Sequence, residues 1–234
     1  ISYISNSQII TELVKRIKNN NQLNIIGSSR YAKSIIINCI AKRENKDILL
    51  ISPNEEIAYK WYGYFDSIDN SNVLYYPPSE NLPYASINKS KETEYAQLSV
   101  ISKIIKKNRK EQNIIITTER SLQPHLINKN LFKENIFTLV KGIELDIKEL
   151  TKKLVYLGYN KENLTSQEGT WSRRGAIIDI YPVNNELPIR IEYFDNIIEK
   201  IREYDPVTQR TLDSINKVEI VQVGFNLLIR KRLE

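Results

Sequence analysis

The segment Gly27–Ser34, with the sequence GSSRYAKS, carries the residue types of a phosphate-binding loop. In such a loop two glycines let backbone amides surround the phosphates, while a lysine and a hydroxyl residue serve the β/γ-phosphates and magnesium. Gly27, Lys33 and Ser34 fit this spacing, but Ala32 stands where the second glycine is required. Its methyl group penalises a positive φ and occupies space close to a nucleotide. The segment therefore predicts a degenerate phosphate loop.

The rest of the chemistry that such a loop would need is missing from the sequence. Hydrolysis requires an acidic magnesium ligand after a second strand, yet the apolar run 114–116 is followed by Thr117, Thr118 and Glu119. A single cysteine, Cys39, and a single histidine provide neither a zinc site nor a nucleophile–histidine pair. We expect no catalytic residue, no metal site and no cofactor in this chain. A nucleotide-driven helicase fragment, or weak phosphate binding by the loop, is the alternative.

A second candidate site lies on the strand predicted at 189–194. Successive strand residues point to opposite faces, so Arg190, Glu192 and Phe194 share the face that is not the apolar core. An arginine beside an exposed aromatic ring is typical of the residues that dominate protein interfaces. The alternative is that Phe194 ends the strand and packs locally under the turn at Asp195.

Two consecutive arginines, Arg173 and Arg174, precede Gly175 and could add forked hydrogen-bond donors to the same interface. The alternative is a solvated pair of charges. Sequence does not decide which of the two arginines faces the partner, because a shift of one residue in strand register exchanges them.

The elements that must position the loop alternate between helix and strand through residues 1–134. Apolar residues recur at helical spacing from Ser7, and short continuous apolar runs separate the helices. The predicted strands are 23–26, 48–51, 73–76 and 114–117. Continuous apolar strands between helices predict an α/β domain with an open, mostly parallel sheet and helices on both faces, in the manner of a degenerate P-loop or RecA-like fold.

The pattern changes in residues 135–222. One helix around Leu150 and Leu154, closed by Gly158, precedes strand-like runs that are too closely spaced for helical crossovers. These runs are 169–173, 176–181, 189–194, 198–204 and 217–223. They predict a second, smaller α+β domain with antiparallel strands. We expect 223–234 to begin a return to the first domain, with cloning-derived residues at its end.

Composition narrows the classes of function. The net charge of +6 combines 34 cationic with 28 anionic residues, which permits an acidic protein partner or a nucleic acid. With 14 tyrosines, a basic nucleic-acid-binding domain is a further alternative. No apolar run approaches the roughly 20 residues of a membrane span, so we expect no membrane partner and a cytoplasmic location.

Several motifs resemble a known family. The runs GAIIDIYP at 175–182 and PIRIEYFD at 188–195 resemble the second domain shared by UvrB and the bacterial transcription-repair coupling factors, the Mfd family. The runs DPVTQRTL at 205–212 and NLPY at 81–84 are similar to Mfd. UvrB would have an intact phosphate loop and a tyrosine-rich DNA-binding hairpin, and this sequence has neither. The resemblance therefore indicates the amino-terminal, UvrB-like region of the Mfd family.

The resemblance implies a docking module rather than an enzyme. In that family this region is a UvrB copy without ATPase activity, and its second domain binds UvrA. The contacting residues of the family correspond to Arg174, Arg190 and Phe194. The flanking residues included in the candidate UvrA-binding site are Arg173, Glu192 and Asp195.

The resemblance also implies a role in transcription-coupled nucleotide excision repair. The module would recruit UvrA to stalled RNA polymerase, while ATP and magnesium serve motor domains elsewhere in the full-length protein. Other modules would bind RNA polymerase and DNA. A carboxy-terminal domain would mask the docking site until the protein engages polymerase, so the site would serve two competing partners.

Overall fold

A computed structural model of the chain describes residues 2–20, 22–68, 72–79, 91–106, 112–122 and 128–225. These residues form a mixed α/β protein with parallel and antiparallel sheets. The chain divides into two compact units, which we call unit 1 (1–79 and 107–125) and unit 2 (80–106 and 126–234). Across the described ranges, none of the helices combines the length and apolar character that crossing a bilayer requires.

Unit 1 contains a three-stranded parallel sheet in the order β1-β3-β2. Its helices are α1 (Ser2–Ser5), α2 (Gln8–Asn20), α3 (Arg30–Glu44) and α4 (Glu55–Ile68), and its strands are β1 (Ile48–Ser52), β2 (Val73–Tyr76) and β3 (Ile114–Thr118). A 3-10 helix at Glu119–Leu122 follows β3. Ala58 and Phe65 of α4 pack against Ile114 and Ile116 of β3. The first pair is seven residues apart and shares one helix face, and the second pair is two residues apart and shares one face of the strand.

Two predictions for this region differ from the structure. Leu23–Ile26 is not a strand: the segment has no ladder partner among the described residues, and Ile26 is 89% exposed. A short apolar run does not define a strand unless another strand supplies its hydrogen bonds. The mostly parallel sheet with helices on both faces is also not confirmed, because only this small sheet is parallel throughout and Leu49 and Ile51 on β1 are about half exposed.

Unit 2 is built around a six-stranded sheet in the order β10-β9-β8-β7-β6-β5, with a two-stranded sheet β11-β4 beside it. All neighbouring strands are antiparallel except β5 and β6, as closely spaced strands require. The helices are α5 (Lys91–Ile105), α6 (Lys129–Glu134) and α7 (Ile147–Tyr156). The strands are β4 (Phe137–Val140), β5 (Asn160–Lys161), β6 (Thr170–Arg174), β7 (Ile177–Tyr181), β8 (Ile189–Phe194), β9 (Ile197–Tyr204), β10 (Thr211–Ile215) and β11 (Lys217–Ile220).

One face of the six-stranded sheet, which we call the inner face, forms the main core of unit 2. Leu150 and Leu154 of α7 pack with Ile178, Ile191 and other inner-face residues that are almost completely buried. The helix is amphipathic and starts at an Asp146 cap, whose carboxylate accepts a hydrogen bond from the Lys148 amide. The opposite face of the same strands, the outer face, carries the predicted site.

The predicted boundary near residue 134 remains a prediction. In the structure α5 groups with unit 2, where its Tyr95 and Leu98 pack with Val183 and Val221. The motif at 81–84 and residues 226–234 of the predicted return segment lie outside the described residues.

Candidate docking surface

Strand register brings four of the predicted site residues, Arg174, Arg190, Glu192 and Phe194, to the outer face of unit 2. Four residues of this face form a row across neighbouring strands, each opposite the next. They are Arg174 of β6, Ile177 of β7, Glu192 of β8 and Lys200 of β9. At the end of the sheet Phe194 pairs with Ile197. We call this group the docking face; its members are Arg174, Ile177, Glu192, Phe194, Ile197 and Lys200.

The Phe194 ring is presented to solvent. Phe194 is 67% exposed, and its strand partner Ile197 is 45% exposed. The ring therefore does not pack under the turn that follows the strand. That turn contains Asp195 in the left-handed conformation, with φ of 52°. A short polar side chain tolerates this conformation, which lets β8 and β9 connect tightly while Phe194 keeps its outward position. Asp195 is itself exposed at the end of the docking face.

Arg190 lies on the outer face but is mostly buried, with its side chain 14% exposed. Its Nε and Nη2 donate hydrogen bonds of 2.7 and 2.9 Å to the two carboxylate oxygens of Asp179. Nη1 and Nη2 also donate to the backbone and side-chain oxygens of Gln209, and Cζ lies 4.5 Å from the centroid of the Tyr204 ring. The hydrogen bonds to Asp179 raise the pKa of the Arg190 guanidinium, which therefore stays charged. Most of its donors are occupied within unit 2.

The two consecutive arginines point to opposite faces of the sheet. Arg174 lies on the outer face with its side chain 55% exposed, and its Nη2 donates a 3.0 Å hydrogen bond to Asp179. Arg173 pairs with Ile178, an inner-face residue, and its Nε donates to the carbonyl oxygen of Gly175. Since the register fixes the alternation, Arg174 is the member of the pair that shares a face with Phe194.

Glu192 is held between two cations of β9. Its carboxylate lies 3.1 Å from Nη2 of Arg202 and 3.7 Å from Nζ of Lys200. The ion pairs of this group join four cationic side chains to three carboxylates, which leaves a small excess of positive charge. The cations are Arg174, Arg190, Lys200 and Arg202, and the anions are Asp179, Glu192 and Glu199, whose Oε1 lies 4.0 Å from Nζ of Lys200.

Asp179 is the site residue that the sequence analysis does not single out. It lies on β7 between the buried residues Ile178 and Ile180, and it is 1% exposed. A signal was present, because strand alternation places an aspartate between two core isoleucines on the opposite face, in line with the arginines. What sequence does not provide is the pairing of β7 with β8, which sets Asp179 directly opposite Arg190.

The phosphate-loop residues of unit 1 make contacts among themselves. Gly27 has a φ of 81°, and α3 begins at Arg30, so Ala32 lies in the first helical turn without a positive φ. Ser29 caps this helix by accepting a hydrogen bond from the Ala32 amide. The Ser34 hydroxyl is buried and donates to the Tyr31 carbonyl oxygen. The Ala32 amide, which a phosphate would use, and the Ser34 hydroxyl, which magnesium would use, are therefore already hydrogen-bonded. The Lys33 side chain is half-buried.

No other described region shows a comparable arrangement for chemistry. The described residues contain no cluster of three or more His, Cys, Asp or Glu side chains able to hold a metal ion. A cleft of about 850 Å³ in unit 2 is lined by residues that include Glu92, Tyr95, Glu168 and Tyr181, and none of the predicted docking residues lines it.

Comparison with known proteins places this geometry in a family. The family model described as the UvrB interaction domain matches residues 137–223, the part of unit 2 that holds every residue of the docking face. The chain is 31% identical over 220 residues to a transcription-repair-coupling factor of Staphylococcus epidermidis, covering 94% of this chain and 18% of that relative.

Two further relatives carry the same description. A protein of Staphylococcus haemolyticus is 32% identical over 93% of this chain and 18% of its own length, and one of Bacillus subtilis is 29% identical over 84% and 16%. The chain therefore spans less than a fifth of the length of these relatives. Residues 137–223 match the UvrB interaction domain model, and most of the chain is similar to a region of the transcription-repair coupling factors.

Proposed function

We propose that this chain is a docking module that binds UvrA through the docking face of unit 2, and so recruits UvrA to stalled RNA polymerase in transcription-coupled nucleotide excision repair. The observation that carries the proposal is that the 67% exposed Phe194 ring of β8 and the exposed Arg174 guanidinium of β6 lie on one face of the sheet within the matched domain. Exposed aromatic and arginine side chains are the residues that most often dominate binding energy.

The docking face specifies the chemistry of its partner. Phe194 and Ile197 need an apolar pocket, and the excess of cations needs carboxylates on the facing surface. Contacts between exposed charges weaken with salt, whereas burial of an aromatic ring does not. Binding should therefore weaken, but persist, as the salt concentration rises.

Catalysis has no part in this proposal. The internally bonded phosphate loop supports a unit 1 that descends from a RecA-like ATPase domain and no longer holds ATP or magnesium. A motor that uses ATP, modules that bind RNA polymerase and DNA, and a carboxy-terminal domain that masks the docking face would belong to the longer protein, which would act in the cytoplasm. Competition between the masking domain and UvrA for one face would make the docking a switch.

Capture of purified UvrA by the isolated chain tests the proposal. Phe194→Ala and Arg174→Ala should each weaken UvrA affinity by about tenfold or more, because each removes an exposed contact group. Val155→Ala and Lys152→Ala are the matched controls. Both lie on the exposed side of α7, which packs on the inner face, and should leave affinity unchanged.

The outcome separates docking from the two alternatives. Wild-type affinity in both docking-face variants would reject the proposed surface. Micromolar binding of ATP with magnesium by the chain would favour an ATPase fragment. Tight DNA binding that survives about 0.2 M salt would favour a nucleic-acid-binding domain, because binding that depends on phosphate contacts falls steeply with salt.

A further inference from the structure

Asp179 occupies an unusual position for a carboxylate. It lies at the middle of β7, is 1% exposed, and has core isoleucines on both sides in the sequence. A buried carboxylate is costly unless cations and hydrogen bonds compensate the loss of water. The groups that compensate such a residue therefore indicate what it does.

Its partners are the two arginines of the outer face. Arg190 binds both carboxylate oxygens of Asp179, at 2.7 and 2.9 Å, and Arg174 binds Oδ2 at 3.0 Å. The geometry follows from register: Arg190 is directly opposite Asp179, and Arg174 is opposite Ile177, two residues along β7 on the same face. One carboxylate therefore holds guanidinium groups from the strands on both sides.

The two arginines differ in what remains available to a partner. Arg190 is 14% exposed and is also bound to Gln209 and stacked on Tyr204. Arg174 is 55% exposed, and its single hydrogen bond to the described residues is the one to Asp179. Of the five N–H groups in its guanidinium, four are thus free of partners within the described ranges.

We propose that Asp179 is a positioning residue of the docking face: it fixes the Arg174 guanidinium in a single orientation for the partner, while Arg190 neutralises Asp179 from the other side. This inference rests on the proposed UvrA docking. Holding a flexible arginine before binding reduces the entropy lost when the complex forms, and this gain is absent when the side chain rotates freely.

A thermodynamic cycle on UvrA affinity tests the proposal with Asp179→Asn, Arg174→Ala and the double variant of the full chain. Asparagine keeps the shape of Asp179 and one acceptor oxygen but removes the charge. Asp179→Asn should weaken UvrA affinity by several-fold in the wild-type background. In the Arg174→Ala background it should cause no further loss, because the side chain that it orients is gone.

Nitrogen NMR of the arginine side chains supplies a measurement that does not depend on UvrA. Rotation of the Arg174 guanidinium should be slow in the wild-type chain and fast in Asp179→Asn, while the backbone amide spectrum of unit 2 is retained. The proposal is overturned by equal losses of affinity from Asp179→Asn in both backgrounds, by unchanged affinity, or by unchanged Arg174 rotation. If wild-type chain fails to bind UvrA although Arg174 rotation depends on Asp179, the docking proposal fails and the positioning of Arg174 stands.

Discussion

The phosphate loop of unit 1 and the outer face of unit 2 both carry the side chains of a functional site, but they differ in where those side chains bond. In the loop, the Ala32 amide and the Ser34 hydroxyl are bonded to neighbouring residues of the same segment. On the outer face, Arg190 is bonded internally, yet Arg174 and Phe194 remain more than half exposed. Two groups of the loop are thus occupied internally, whereas the outer face presents a cation and an aromatic ring.

This difference shows how a motif should be interpreted in a structure. The residue types of a motif determine which contacts with a ligand are possible. The hydrogen bonds that these residues already make within the protein determine which of those contacts remain available. The same criterion divides the outer face itself, because the most deeply bonded arginine stabilises unit 2 and the exposed one is available to a partner. Variants that remove one bond at a time test whether internal bonding separates these two roles.

The largest effect is expected for Arg190→Ala, which leaves the buried Asp179 with Arg174 as its remaining cation. Removing one member of a buried ion pair costs about 3–5 kcal/mol of the free energy of unfolding. Chemical denaturation of unit 2 can be followed by the fluorescence of Trp171 after Trp61→Phe, since these are the two tryptophans of the chain and lie in different units. Arg190→Glu would place a second carboxylate beside Asp179, so loss of UvrA binding in that variant reports a lost contact only if the variant stays folded.

Arg202→Ala is the control for this prediction. Arg202 lies on the same face and pairs with the half-buried Glu192, so its loss should cost at most about 1 kcal/mol. The double variant Asp179→Leu/Arg190→Met should recover part of the stability lost in Arg190→Ala, because it removes the unpaired buried charge. Equal stability of Arg190→Ala and Arg202→Ala would mean that the bonds of Arg190 to Asp179 do not stabilise unit 2.

Sequence predicted the antiparallel strands of unit 2 and the outward position of Phe194 because both depend on local alternation. It did not identify Asp179, whose role comes from two strand pairings and so from residues distant along the chain. It assigned a strand at 23–26 because three of these four residues are apolar, while the hydrogen-bonding partner that makes a strand is a property of the whole sheet. Local periodicity predicts the face of the sheet on which a side chain lies. The register between strands determines which polar side chains contact each other.

A smaller effect is expected for Ser29→Ala in the phosphate loop. This change removes the cap of α3 and should lower the free energy of unfolding of unit 1 by about 1 kcal/mol. Fluorescence of Trp61 after Trp171→Phe reports that unit. The adjacent Ser28→Ala is the control, because the buried Ser28 hydroxyl has no hydrogen-bond partner among the described residues and its removal should cost little. Equal losses in both variants would show that the cap does not stabilise the helix.

Ala32→Gly tests whether restoring the glycine restores the loop. The residue already has a helical conformation, so glycine adds no needed freedom and should cost up to about 1 kcal/mol of stability in unit 1. Calorimetry with ATP and magnesium should show no binding by this variant. Lys33→Ala combined with Ala32→Gly is the control for any heat that is observed. Micromolar affinity that depends on Lys33 would mean that the missing glycine, and not the internal bonds, inactivated the site.

The smallest effect concerns Glu168, a carboxylate of unit 2 that lines the cleft and contrasts with the arginine-bound Asp179. Glu168 is exposed overall, but partial desolvation of its carboxylate in the cleft, and secondarily the charge of Glu92, raise its pKa above the ordinary value of 4.5. A raised pKa in the folded state means that its contribution to stability is present below the unfolded pKa and is lost as pH rises through the folded one. Glu168→Gln should therefore stabilise unit 2 at neutral pH and change little near pH 4. Unfolding midpoints measured across this pH range check the sign of the effect, and the exposed Glu162→Gln is the control. A Glu168→Gln variant that is less stable at neutral pH would contradict the prediction. It would show that the ionised carboxylate of Glu168 has a compensating partner, as Asp179 has.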